Sequence, residues 1–156
     1  MTSSVMQFDY HDCVVNLLDT PGHDDFSEDT YRTLTAADSA LMVIDGARGV
    51  EERTIKLLEV CRSRNTPIIT FINKLDRQGA DFDKAYESIL HRLQCNAVRM
   101  QVPIGTEKDF SGVVDLITRK AWKFTEGDGP TIEEMSIPED MLDLVEERRQ
   151  ELIEKV

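Results

Sequence analysis

The hydrophobic positions of the first hundred residues alternate between strand-like and helix-like patterns. Residues 2–10 alternate in polarity and an apolar run follows at residues 13–18, so the two segments predict a β-hairpin. Two short, nearly continuous apolar runs, at residues 40–44 and 67–72, predict central strands of a parallel sheet covered on both faces.

Helical spacing follows each of these runs. Residues 51–64 carry apolar side chains at helical intervals, and Asp81 is placed to cap a helix with a longer apolar stripe. The stripe consists of Phe82, Ala85, Tyr86, Ile89, Leu90 and Leu93. Strands that alternate with helices predict an α/β fold with a mostly parallel, doubly wound sheet and helices on both faces, whose ligand lies at the carboxyl ends of the strands.

The pattern changes after Pro103, which divides the chain into a domain of residues 1–103 and a smaller α+β subdomain of residues 104–156. Residues 110–124 predict a β-ribbon, and Pro138 opens a last helix. That helix is predicted to have an apolar inner face and an outer ion pair between Glu151 and Lys155. The inner face consists of Met141, Leu142, Val145, Leu152 and Ile153.

Composition excludes several classes of protein. The formal net charge of −12 argues against a chain that coats nucleic acid, because phosphate contacts need clustered Lys and Arg. No apolar run approaches the roughly 20 residues of a membrane helix, and residues 1–5 lack a secretory signal, so we expect a cytoplasmic protein. Cys13, Cys61 and Cys95 are too far apart for a metal knuckle. The acidic segment 126–156 fits a solvated helix face or, alternatively, a surface for a basic partner.

The first motif that carries chemistry is DTPGH at residues 19–23, directly after a predicted strand. Asp19 can hold Mg²⁺ directly or through water, and Gly22 lets a backbone N–H approach a terminal phosphate where a Cβ would obstruct it. A Pro-Gly turn with an aspartate cap explains these residues equally well. His23 follows at the place from which a side chain orients a water for attack on a γ-phosphate.

The second motif is NKLD at residues 73–76, again directly after a predicted strand. The Asp76 carboxylate can accept hydrogen bonds from the ring N–H and the exocyclic amine of guanine, a donor pair that adenine lacks. Asn73 and Lys74 can bind and brace the ring and the neighbouring loops. One such tetrapeptide often occurs by chance, but two motifs in this order, each after a core strand, favour a guanine nucleotide site.

These motifs resemble those of the P-loop GTPases, and in particular the translational GTPases of the elongation factor G and peptide chain release factor three type. The runs DFSEDTYRTL at residues 25–34 and VIDGARGVE at residues 43–51 add to the resemblance, which covers nearly the whole chain. Residues 102–105 and 110–116 are similar to the inserted G′ subdomain of elongation factor G. Which of the two factors is the nearer relative stays open.

The resemblance implies that residues 1–103 are a partial GTP-binding (G) domain and that residues 104–156 are part of a G′-like insertion. It assigns Asp19 to the Mg²⁺ shell, Gly22 to the γ-phosphate and His23 to the hydrolytic water, while the NKLD residues hold the guanine of GTP or GDP. The implied partner is the ribosome, through its sarcin-ricin loop and stalk proteins. We expect a monomer that binds neither membranes nor specific nucleic acid sequences.

The chain departs from the family pattern at the phosphate loop. A GTPase of this kind needs the motif GxxxxGK[ST], and none of the eight glycines is followed by lysine. We therefore expect an internal piece of a larger factor that lacks the phosphate loop and switch I, with GTP hydrolysis belonging to the parent protein. The alternative is a folded binding module that contacts ribosomal partners without nucleotide turnover.

Overall fold

The computed structural model describes residues 4–20, 28–125 and 131–156, with the backbone alone at Glu28 and Asp29. The strands in these ranges are β1 (Ser4–Tyr10), β2 (Cys13–Asp19), β3 (Ala40–Asp45), β4 (Ile68–Asn73), β5 (Gln101–Ile104), β6 (Gly112–Asp115), β7 (Lys120–Thr125) and β8 (Thr131–Met135). The helices are α1 (Glu28–Ala36), α2 (Glu52–Ser63), α3 (Phe82–Leu93) and α4 (Leu142–Lys155). No helix in the described part of the chain is long and apolar enough to cross a membrane.

Contacts group the chain into two compact units. The first unit comprises Met1–Val43 and Glu52–Phe71, and the second comprises Ile44–Glu51 and Ile72–Val156. The assignment of residues 1–103 and 104–156 to a G domain and an insertion stays a prediction.

The N-terminal hairpin predicted from the sequence is confirmed. β1 and β2 pair antiparallel along their whole length, from Ser4 opposite Asp19 to Tyr10 opposite Cys13. The two-residue loop between them begins at His11, whose φ of 51° lies in the left-handed region that tight hairpin loops require. The hairpin therefore places Asp19 at the carboxyl end of β2.

β3 and β4 form a parallel pair. The backbone N–H of Ala40 donates to the Pro67 carbonyl at 2.9 Å, and that of Gly46 donates to the Asn73 carbonyl at 2.8 Å. Residue numbers rise together along both strands, which is the register of a parallel ladder, and α2 lies in the crossover between them. The predicted α/β fold with a parallel sheet is confirmed.

The two faces of this strand pair differ in exposure among the described residues. Alternate side chains of β3 and β4 are 53–64% exposed, whereas those between them are buried or half-buried. The exposed side chains are Leu41, Val43, Ile69 and Phe71. Since successive side chains of a strand point to opposite faces, these four side chains lie on the same face of the pair.

The cap and the apolar stripe predicted for α3 are confirmed. The Asp81 carboxylate accepts from the Lys84 backbone N–H at 3.0 Å, which satisfies one of the free donors of the first turn. The buried residues of the helix are Ala85, Tyr86, Ile89 and Leu93, all of which belong to the predicted stripe. The helix ends at Gln94, which has the left-handed φ of 47°.

The predicted β-ribbon is confirmed and forms part of an antiparallel sheet with the strand order β5-β6-β7-β8. One face of this sheet packs on α4 around a core in which Val114, Leu116 and Ala121 are 0% exposed. Val102 and Val145 complete the buried cluster. Burial of these side chains is the main favourable contribution to the stability of this part of the second unit.

The apolar inner face predicted for α4 is wrong in part. Val145 is buried and Met141 and Leu152 pack against the sheet core as predicted, but Leu142 is 50% and Ile153 is 53% exposed. The helix buries a narrower stripe than the sequence suggests, because residues one position from the central row lie about 100° around the helix from it.

The predicted ion pair between Glu151 and Lys155 is absent among the described contacts. The Glu151 carboxylate instead binds Arg99 at 3.0 Å and Arg148 at 2.5 Å, and the Lys155 ammonium donates to the Ala97 carbonyl at 3.4 Å. Arg99 is the better partner because its side chain is only 10% exposed. An unpaired charge that is largely removed from water costs more free energy than the charge of a solvated lysine. Asp83 binds the same guanidinium at 3.0 Å.

We expect the buried thiol of Cys61 to react several-fold more slowly with iodoacetamide than the exposed thiol of Cys13. Burial raises the pKa of the Cys61 thiol, so less of the reactive thiolate is present, and access to the sulfur is restricted as well. Alkylation of the folded protein, resolved by peptide mass spectrometry, measures both rates. Alkylation in urea is the control, because the two thiols should react at similar rates once the protein is unfolded. Similar rates in the folded protein would contradict the expectation.

Candidate functional site

Asp19, the predicted Mg²⁺ residue, is the last residue of β2 and is exposed. Its partners in the DTPGH motif, Gly22 and His23, lie outside the described residues. Within residues 4–20, 28–125 and 131–156, no group of three or more His, Cys, Asp or Glu side chains is placed to hold a metal ion. The role of Asp19 as a Mg²⁺ contact through water therefore stays a prediction.

The predicted base-binding residues lie in one loop, residues 73–81, which we call the base loop. Asn73 is the last residue of β4, and its side-chain oxygen accepts from the Lys74 backbone N–H at 2.9 Å. Lys74 then reverses the chain with a φ of 63°. Further turns follow, with the Arg77 N–H donating to the Lys74 carbonyl at 3.2 Å and the Ala80 N–H donating to Arg77 at 3.1 Å. The loop is thus held by its own backbone.

Asp45 binds the lysine of the base loop. The Lys74 ammonium lies 2.9 Å from Asp45 Oδ2, and the two side chains are 40% and 21% exposed. The other oxygen, Oδ1, accepts from the backbone N–H groups of Ala47 at 2.9 Å and Arg48 at 3.2 Å. The Lys74 ammonium and these two N–H groups hold the pKa of the Asp45 carboxyl below its ordinary value.

Asp45 is a functional candidate that the motif search missed. The signal was present in the sequence, because Asp45 ends β3 after an apolar run and precedes Gly46, just as Asp19 ends β2. The ion pair with Lys74 was not predictable, since the partners lie 29 positions apart in the chain.

Gly46 joins the Asp45 turn to the base loop. Its N–H donates to the Asn73 carbonyl at 2.8 Å, and its carbonyl accepts from the Asp81 N–H at 3.0 Å. A Cβ at this position would lie 2.9 Å from Leu75 Cδ2 and 3.1 Å from the Asn73 oxygen, closer than side chains normally approach. Glycine therefore permits the contact, and the two loops form one hydrogen-bonded assembly.

Asp76 is exposed, and its carboxylate has no hydrogen-bond partner among the described residues. Both of its oxygens are free to accept from a ligand, in contrast to those of Asp45. The base loop follows the carboxyl end of a parallel strand, which is where ligands of open α/β sheets bind. The chemistry of this loop fits a purine that presents two N–H donors.

A small cavity of about 80 Å³ lies beside the base loop, between the turn at Gly46 and the first turns of α3. Arg48, Lys84 and Ser88 are among its lining residues. The volume is well below the several hundred Å³ of a typical ligand pocket. Asp76 is not one of the lining residues, so its free carboxylate lies outside this cavity.

The second unit thus brings Asn73, Lys74 and Asp76 together and adds Asp45 to them. Asp19 belongs to the first unit. Comparison with protein families gives a match to the family described as Elongation factor Tu GTP binding domain, over residues 1–152. Nearly the whole chain is included, and the parallel strand pair with its crossover helix agrees with an α/β nucleotide-binding fold. The chain belongs to the Elongation factor Tu GTP binding domain family.

Proposed function

We propose that this chain supplies the guanine-binding and water-orienting segments of a ribosome-dependent translation factor GTPase, of the elongation factor G or release factor three type. The observation that carries the proposal is the base loop, in which a free carboxylate at Asp76 lies two residues from an anchored lysine at Lys74. Membership of a GTP-binding family supports guanine as the base.

In the proposed site the Asp76 carboxylate accepts from the ring N–H and the exocyclic amine of guanine. Adenine has a lone pair at the corresponding ring nitrogen and a C–H in place of the exocyclic amine, so it would leave both carboxylate oxygens unpaired and bring the lone pair close to the negative charge. The Lys74 stem and the Asn73 side chain flank the base. Discrimination between guanine and adenine therefore comes mainly from the charged Asp76 carboxylate, whose hydrogen bonds are stronger than those of a neutral acceptor.

The DTPGH segment has the second proposed role. Asp19 contacts Mg²⁺ through water, the Gly22 N–H contacts the γ-phosphate, and His23 orients the attacking water. Bound Mg²⁺ supplies charge neutralisation at the phosphates. On the ribosome the sarcin-ricin loop positions His23, and the acidic surface of α4 meets stalk proteins; both contacts are proposed from the resemblance to translational GTPases. A solvated helix face remains the alternative for α4.

A second candidate function is a folded module that binds ribosomal partners without turnover of its own. It is favoured by one observation in the sequence, which is that the 156 residues contain no Gly-Lys dipeptide and so no GxxxxGK[ST] phosphate loop. The two candidates share the base loop. They differ in nucleotide affinity, because the phosphate loop contributes contacts that the base alone does not replace.

Titration of this chain with GDP, followed by NMR, tests the proposal. We expect guanine-selective shifts at residues 73–77 with a dissociation constant roughly in the millimolar range, or about −4 kcal/mol, because the base is bound without a phosphate cradle. ADP is the matched control and is expected to cause no shifts there. Equal shifts with ADP, or none with GDP, would remove guanine recognition. Micromolar affinity would instead favour a complete nucleotide site and count against the module.

A further inference from the structure

We propose that Asp45 is a positioning residue for nucleotide recognition: its carboxylate fixes the Lys74 side chain in the base loop, beside the base-reading Asp76. The inference deepens the proposed function and rests on it, because a role of Asp45 in nucleotide recognition requires that the base loop binds a base. It assigns a role to a residue outside the DTPGH and NKLD motifs.

The first supporting observation is that the Asp45 carboxylate is fixed on both sides. Oδ1 accepts from two consecutive backbone N–H groups of the turn that begins at Asp45, those of Ala47 and Arg48. This turn orients Oδ2 toward the Lys74 ammonium at 2.9 Å. A carboxylate held by its own backbone loses little freedom when it binds a lysine, so the pair is better organised than a typical surface ion pair.

The second observation is that Lys74 needs an anchor. A lysine side chain is a flexible four-carbon stem, and an exposed one samples many rotamers. Lys74 also has a left-handed φ of 63°, a conformation that a residue with a Cβ adopts at a cost. The ion pair with Asp45 and the Asn73 side-chain bond to its N–H together offset that cost.

The third observation is that the anchor and the base loop are linked by backbone as well. Gly46 follows Asp45 directly and exchanges hydrogen bonds with the backbone of Asn73 and Asp81. A movement of Asp45 is therefore transmitted to both ends of the base loop. Its carboxylate reaches the loop through Lys74 and does not touch the proposed base, so we assign it a positioning role and not a direct contact.

Asp45→Asn tests the proposal, because asparagine keeps an oxygen for the turn N–H groups and removes the charge that holds Lys74. The chain offers a matched control in Glu134→Gln. Glu134 on β8 binds a lysine, Lys120 on β7, at 2.8 Å, and the two side chains are 51% and 48% exposed. The control removes the same kind of ion pair outside the base loop, and circular dichroism verifies that both variants fold.

Trace acetylation of lysines, resolved by mass spectrometry, gives a readout that needs no nucleotide. We expect Asp45→Asn to raise the acetylation rate of Lys74 about two- to fivefold, the range that loss of a partly exposed ion pair allows, and to leave the rate of Lys120 unchanged. Glu134→Gln is expected to do the reverse. An unchanged Lys74 rate in Asp45→Asn would overturn the proposal.

GDP titration by NMR gives the second readout. Asp45→Asn is expected to weaken GDP binding about two- to fivefold, whereas Glu134→Gln leaves it unchanged. Lys74→Met removes the same pair from its other end, and adding Asp45→Asn to it should cause no further loss if Asp45 acts through the lysine. An equal loss in both backgrounds would overturn the positioning role.

The wild-type titration separates the two proposals. A wild-type chain that fails to distinguish GDP from ADP counts against the proposed function and with it against a role of Asp45 in base recognition, whatever the acetylation rates are. A wild-type chain that selects GDP while Asp45→Asn binds it equally well retains the proposed function and refutes the inference about Asp45.

Discussion

Asp76→Asn is expected to abolish the preference of the chain for GDP and to make xanthosine diphosphate the better ligand. The carboxylate accepts two hydrogen bonds from guanine, and an amide replaces one acceptor by a donor that faces the exocyclic amine. Hydrogen bonds to a charged group contribute about 1.5–3 kcal/mol, so the affinity for GDP should fall at least about tenfold. Xanthine carries a carbonyl where guanine carries the amine, and this carbonyl can accept from the new amide.

NMR titrations of the variant with GDP and xanthosine diphosphate measure the exchange of preference. Asp140→Asn is a suitable control, because it removes an equally exposed carboxylate from the 3₁₀ turn before α4. The control should bind both nucleotides as the wild-type chain does. If Asp76→Asn retained the wild-type order of affinities, Asp76 would not contact the base.

Leu116→Ala is expected to lower the free energy of unfolding of the second unit by about 2–5 kcal/mol. Leu116 is 0% exposed in the core between the antiparallel sheet and α4, so truncation removes buried apolar surface and leaves a cavity. Its backbone contacts, in which the N–H donates to Met100 and the carbonyl accepts from Arg149, do not depend on the side chain.

The neighbouring substitution Ile117→Ala is the matched control, since Ile117 is 51% exposed and should lose only about 0.5 kcal/mol or less. Urea unfolding followed by the fluorescence of Trp122, the single tryptophan of the chain and a residue of β7, measures both variants. Similar midpoints for the two variants would mean that the core around Leu116 contributes less than its burial indicates.

The elements that the sequence predicted well are those fixed by side chains that lie close together in the chain. The stripe of α3 and its cap at Asp81 depend on side chains that lie within twelve positions of one another, so the pattern contains the needed information. The position of the base loop was predictable for a similar reason, because NKLD directly follows an apolar strand.

Contacts between distant segments were not predictable from the pattern. Glu151 was paired with Lys155 because the two lie one turn apart, yet it binds Arg99, 52 positions earlier in the chain. Only the packing of α4 against the rest of the second unit brings this guanidinium near.

The order of the antiparallel sheet has a consequence for folding kinetics. Its strands β5, β6, β7 and β8 are neighbours both in sequence and in space, so residues 105–111 and 116–119 are the loops to be closed for its first pairings. The parallel pair requires the closure of residues 46–67 before β3 meets β4. Loop-closure entropy and contact order therefore favour early formation of the antiparallel sheet, so this sheet can serve as a folded platform while the base loop is still being assembled.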